Sequence, residues 1–219
     1  MSDAGAFVVI GAGPGLGASA ARRFGREGHP VGLVARGAAT LAMLAEDLSG
    51  AAPAVATEIA DVTDTTALTT ALSEIRQRLG PIDAALFSPR PSLEWIKPVV
   101  DTEPSDVESA LSLSVVAAAA ATRALLPEMR ARQRGTLLFT TGGAAVQPHP
   151  DRAVSAIAYA AESAYVRLLH DALATDGVQV AQATVVGPIG PGARHEPDMV
   201  AEELWRLHVD REESLVVLR

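Results

Sequence analysis

The segment "GAGPGLG", residues 11–17, follows the apolar run Phe7-Val8-Val9-Ile10 and leads into the helix-like "ASAARRFGREG". Four glycines in seven residues at such a seam constrain the fold more than any other stretch of the chain. A tight turn from a buried strand into a helix brings backbone N–H groups to a helix N-terminus, where a phosphate group is stabilised. Gly11 permits the turn, Gly15 allows close approach of the backbone, and Gly17 lets the helix pack on the strand. The overlapping set Gly13-x-Gly15-x-x-Ala18 supports the same reading. The competing reading is a turn that serves structure alone.

The rest of the chain supplies the elements such a turn needs. Strands are expected at Ala6–Gly11, Val31–Ala35, Ala54–Ile59, Ala84–Phe87, Thr136–Thr140, Val178–Val185 and Ser214–Leu218. Helical patterns fall between them, at about 15–27, 38–49, 65–79, 103–132, 152–174 and 198–208. Strands alternating with helices imply right-handed crossovers and a parallel sheet covered on both faces. Runs such as "FVVI" and "TLLFT" are apolar without alternation, as strands buried on both faces require. The expected fold is a single, doubly wound α/β domain over residues 1–219.

Composition narrows the function classes. The net charge of −8 argues against a nucleic-acid or anionic-membrane partner. No uninterrupted apolar run reaches the ~18 residues a bilayer span needs, and "MSDAG" lacks the basic start of a targeting segment. With no cysteine, disulfides and thiolate chemistry are excluded. The five histidines are scattered and no metal site is expected. A soluble cytoplasmic protein acting on a small molecule is the expectation.

The second strand bears on the choice of nucleotide. An acid at its end would accept hydrogen bonds from a ribose 2′-hydroxyl and repel a 2′-phosphate. This strand ends Ala35-Arg36, and a guanidinium pairs with phosphate, so NADP(H) is preferred. Arg36 as a solvated surface residue is the alternative. Asp61, in "ADVTD", either faces an adenine amino group or caps a helix beginning near Thr63.

The order of these motifs resembles the short-chain dehydrogenase/reductase superfamily. The GxxxGxG turn, "LVAR", "DVTD", "DAALFS", a long helix ending "ALLPEM", "GTLLFTT" and "GVQVAQATVVGPIG" carry the resemblance over residues 6–190. It implies a Rossmann-like fold, a nicotinamide dinucleotide and an oligomer, with homodimer or homotetramer expected. Small residues in "VVAAAAATRALL" would allow close helix pairing. The resemblance sets Leu16, Val62, Ser88, Gly187, Pro188 and Ile189 along the cofactor beside the residues already named. It also implies four catalytic side chains: an Asn, a Ser, a Tyr and a Lys, with the Tyr as acid/base.

At those places this sequence departs from the family. The Asn site falls at Ser114 and the Ser site at Gly142. The helix "AVSAIAYAAESAYVRLLHDALATDG" aligns in two registers. The gap-free one puts Ser155 at the Tyr site and Tyr159 at the Lys site. The other keeps Tyr159 as the Tyr and puts Ser163 at the Lys site. Neither supplies a lysine, since Lys97 is the chain's single one and lies elsewhere. Tyr159 is therefore either a remaining acid/base, with a pKa near its ordinary ~10, or a packing residue. Arg90 is a candidate clamp for a substrate anion, Trp95 a candidate substrate wall and His149 a candidate proton donor. Each could equally be an ordinary loop residue. The segment near 190–198, where the family inserts a substrate lid, is short.

Three functions are compatible with this pattern. One is an NADP(H)-linked oxidoreductase with an atypical site, acting on an imine or iminium, an enone or a carbonyl. A second is a non-redox cyclase, isomerase or dehydratase. A third is a cofactor-binding interaction protein without chemistry.

Overall fold

The computed structural model describes residues 4–219, so Met1–Asp3 of the "MSDAG" start lie outside the described residues. Seven parallel strands form one sheet in the order β3-β2-β1-β4-β5-β6-β7. They are β1 Ala6–Ile10, β2 Val31–Ala35, β3 Val55–Ile59, β4 Ile82–Phe87, β5 Gly135–Gly142, β6 Val178–Val185 and β7 Leu215–Leu218. The strand order reverses between β1 and β4, which opens a crevice at their carboxyl ends.

Because side chains alternate across a strand, each strand feeds two cores. Phe7 and Val9 point to one face with Leu86 and Leu138; Val8 and Ile10 point to the other with Phe87 and Phe139. Helices α1 Leu16–Arg26, α2 Ala38–Asp47 and α7 Pro197–Asp210 contribute to the first core. Helices α3 Thr65–Leu79, α5 Ala117–Ala131 and α6 Ala153–Leu173 contribute to the second. On the first face Phe7 and Phe24 stack at 3.8 Å, and Trp205 meets Phe24 edge-on. Truncating Phe24 there would cost about 3–5 kcal/mol. Trp205 also lies under the Arg23 guanidinium, and His208 Nδ1 sits 2.9 Å from Thr136 Oγ1. These C-terminal residues close the core at the sheet's amino end, opposite the crevice.

Two features depart from the sequence reading. The expected helix 103–132 is broken into α4 Pro104–Leu111, a π turn Ser112–Val116 and α5. The stretch Pro104–Ala131 is also long and apolar enough, by length and composition, to cross a membrane. That amends the expectation that no segment qualifies. Here Leu113, Ala117, Ala118, Ala121, Leu125 and Met129 of this stretch pack in the second core. Elsewhere boundaries move by a residue or two, and α3 begins and ends where its pattern placed it.

Candidate active site

The glycine-rich turn forms the floor of the crevice. Gly11 has φ +87°, and a Cβ on it would stand 2.5 Å from the Pro89 Cα that crosses over it. Both the turn and the crossing therefore require glycine. A Cβ on Gly17 would touch Ala12 Cα and Val9 Cγ1 at 3.4 Å, so this glycine sits where helix meets strand. On Gly13 or Gly15 a Cβ would meet nothing within 4 Å. Helix α1 has no side-chain cap at Gly15 and no acid in its first turn. Its first N–H groups, including that of Leu16, are left for an anion, and the residues present fit a dinucleotide phosphate.

A cleft of about 660 Å³ extends from this floor. Gly11 and Gly13 line it with Arg36, Asp61, Val62, Arg90 and Trp95. The Arg36 side chain is 77% exposed, with Nη1 3.8 Å from Asp61 Oδ2. Asp61 does not cap a helix. Its Oδ1 accepts from the Thr63 N–H at 2.9 Å and the Thr63 hydroxyl at 2.7 Å. Partial burial would raise its carboxyl, but those two bonds and nearby Arg36 hold it below the usual value. The cap of α3 is Asp64, which accepts from the N–H groups of Thr66 and Ala67.

Beyond Trp95 the cleft meets a second cavity, of about 10 Å³, room for one water molecule. Trp95 and Leu113 wall both spaces, and Ser114, Ser155 and Tyr159 converge on the smaller one. Ser114 is buried in the π turn, a bulge type common at functional sites. The Tyr159 ring lies against Gly142. Burial, aided by Glu162, pushes the Tyr159 phenol up to about 12, above the ordinary value expected from the sequence. Ser163 points elsewhere: its hydroxyl donates to the Tyr159 carbonyl at 2.7 Å and accepts from Gln182 at 2.8 Å. Lys97 bonds both carboxylate oxygens of Asp106, at 3.1 and 2.8 Å.

Other candidates are not gathered into these walls. His149 stands in an exposed turn, where Nδ1 accepts from the Asp151 N–H at 3.2 Å, and it lines neither space. The candidate donor is thus held in a local turn outside both linings. Ser88 accepts from the Thr140 hydroxyl at 2.6 Å. Gly187, Pro188 and Ile189 lie at the exposed end of β6. There Ile189 bridges to His195, and the Gly190 N–H donates to the His195 carbonyl at 3.1 Å.

Sequence reasoning missed Glu162, a buried acid on α6. Its signal is the spacing Ala158, Glu162, Val166: one acid in an otherwise apolar stripe at helical period.

Comparison with known proteins places these features in a family. A family model described as short chain dehydrogenase matches residues 6–196, and the chain belongs to that family. A short chain dehydrogenase of Pseudocercospora fijiensis is 26% identical over 172 residues, covering 77% of this chain and 53% of that protein. Dehydrogenase/reductase SDR family member 7B of Bos taurus is 28% identical over 187 residues, 83% of this chain and 56% of that one. The chain thus spans about half the length of the curated relatives it matches. Among solved structures, L-sorbose reductase from Gluconobacter frateurii, complexed with NADPH and L-sorbose, has a TM-score of 0.88 at 20% identity. That match covers 100% of this chain and 95% of the other. A metagenomic short-chain oxidoreductase in complex with NADP gives 0.85 at 22% identity, covering 99% and 97%. At these identities the structures establish the fold, a doubly wound Rossmann-like domain.

Proposed function

We propose that this member of the short chain dehydrogenase family is an NADP(H)-binding oxidoreductase with an atypical catalytic centre. It moves a hydride to or from a small organic molecule: an imine or iminium, an enone or a carbonyl. The observation that carries the reading is a shared wall: Trp95 and Leu113 line both the cleft that holds the glycine-rich turn with Arg36 and the small cavity beside Tyr159. The NADPH and NADP held by the two structural neighbours support it.

In this reading the backbone from Gly11 to Gly17 holds the pyrophosphate and Arg36 pairs with the 2′-phosphate. Asp61 and Val62 border the adenine side, and Ser88 with Gly187, Pro188 and Ile189 the nicotinamide side. The bound dinucleotide supplies the hydride. Tyr159, Ser155 and Ser114 face the reacting centre, and Arg90 with Trp95 the substrate. The commitment of Ser163 to the sheet supports the gap-free register, with Ser155 at the Tyr site. Gly142 and the pairing of Lys97 with Asp106 support a centre without the family's serine and ammonium. A phenol titrating near 12 donates a hydrogen bond but releases its proton reluctantly, which favours acceptors that are already cationic. The short turn near 190–198 leaves the substrate side without a long lid.

We further assign a homodimer or homotetramer, for which exposed Val116, Ile157 and Leu168 on the α5–α6 side supply apolar surface, and a cytoplasmic location. One observation favours a second reading, a non-redox enzyme or an interaction protein: the cavity beside Tyr159 holds only about 10 Å³. Fluorescence titration with NADPH and NADH, then NADPH absorbance with ketone, iminium and enone panels, separates them. Binding followed by oxidation on any panel supports the first reading. Binding without turnover supports the second, and failure of both nucleotides to bind removes the first.

A further inference from the structure

Helix α6 buries one stripe, Ala158, Glu162 and Val166, and Glu162 is only 2% exposed. A carboxyl group in that position costs stability unless its polar atoms are satisfied. Its oxygen Oε1 has no hydrogen-bond partner, and no cation pairs with it among the described residues. Its polar neighbours are the Ser114 hydroxyl, on the π turn, and Tyr159, whose phenol it helps to raise. Burial holds the carboxyl well above its usual value, with Ser114 acting in the opposite sense. A carboxyl buried with no cation beside it is stabilised by keeping its proton, which gives Glu162 a donor O–H. Ser114 neighbours Glu162 on one side and lines the cavity with Tyr159 and Ser155 on the other.

We infer that Glu162 is the proton reserve of this centre, acting through Ser114 on whatever occupies the cavity beside Tyr159. The inference rests on the hydride-transfer reading, with a reduced nicotinamide dinucleotide as the hydride donor. When a carbonyl carbon accepts the hydride, its π electrons move to oxygen. The Ser114 O–H gives its proton to that oxygen as Ser114 Oγ takes the Glu162 carboxyl proton. The substrate becomes an alcohol, the dinucleotide is oxidised and Glu162 is left as a carboxylate. Water reaching the cavity on product release returns the proton. Glu162 is thus a positioning residue that works through Ser114, and an unpaired buried acid has a use that offsets its cost.

Infrared spectra of the whole protein at neutral pH should show a carboxylic-acid C=O band that shifts in D₂O and is lost in Glu162→Gln. Glu162→Leu should melt at a higher temperature than the parent, because it removes an unsatisfied buried group. Both variants should bind NADPH as the parent does. They should lower kcat for carbonyl reduction by about 10²–10⁴-fold, the usual worth of a positioned acid, with little change in KM. The parent's solvent isotope effect on kcat should fall with it. Absence of the acid band, or carbonyl turnover with an unchanged isotope effect in Glu162→Gln, overturns the inference and leaves the hydride reading standing. A parent protein that binds NADPH but turns over none of the acceptors overturns both.

Discussion

The ring of Tyr159 lies so close to Gly142 that a Cβ on the glycine would stand 3.1 Å from Cε2. The residue at the end of β5 and the tyrosine on α6 thus share one small volume, and a side chain at 142 must move the ring. Gly142→Ala, whose backbone there is ordinary extended chain, should destabilise by about 1 kcal/mol through overpacking. Combined with Tyr159→Leu, the cost should shrink, giving a coupling of at least ~0.5 kcal/mol. Denaturant unfolding of the four-member cycle measures it; strict additivity would mean that the ring and residue 142 do not compete.

Arg36→Ala should weaken NADPH binding by roughly 10- to 100-fold, the worth of a charge-assisted contact, and leave NADH binding nearly unchanged. Parallel fluorescence titrations at fixed salt report the ratio. An unaltered NADPH-to-NADH preference would remove Arg36 from the 2′-phosphate site.

Tyr159 should resist ionisation. With Tyr165→Phe as the background, phenolate absorbance should rise only near pH 12. The folded value lies above the unfolded ~10, so this group's contribution to stability is intact below pH 10 and lost as pH rises towards 12. Tyr159→Phe should flatten the alkaline limb of the stability curve. A titration midpoint near 10 would contradict the burial that the structure shows.

At the other end of the sheet, burial first and His29 second push His208 down to about 4. The unfolded chain binds that proton near pH 6.5, so stability present above 6.5 is lost as pH falls towards 4. The loss is at most roughly 3 kcal/mol from this residue. His208→Gln can keep a bond to Thr136 without titrating, and its melting temperature should vary less over that interval. Equal slopes would contradict the assignment.

Much of the fold was legible because buried parallel strands and amphipathic helices write their periods into the sequence. Thr65–Leu79 announces itself by its apolar spacing and by Gly80 after it. The π turn at Ser112–Val116 does not, because no proline or glycine marks it and the apolar pattern runs straight through. Asp61 and Asp64 look interchangeable in "DVTD", and only the chain's path decides that Asp64 caps α3 while Asp61 folds back on Thr63. In the glycine-rich turn Gly11 and Gly17 have the steric reasons their spacing suggests, whereas a Cβ on Gly13 or Gly15 would meet open space. The cavity beside Tyr159 was harder: Ser114 and Ser155 come from family positions, while His149 was proposed from nearness in sequence and stands in solvent. Glu162 reads as an ordinary helix acid unless its place between Ala158 and Val166 is taken as the mark of a buried stripe.

We propose a dinucleotide cradle joined to a centre without the usual tyrosine–lysine proton machinery. The most direct test is the initial rate of NADPH oxidation with matched ketone and preformed iminium acceptors, in the parent and in Tyr159→Phe. Iminium reduction should be faster than ketone reduction, with the slow ketone rate largely surviving Tyr159→Phe. Rapid ketone reduction abolished by that single substitution would contradict it.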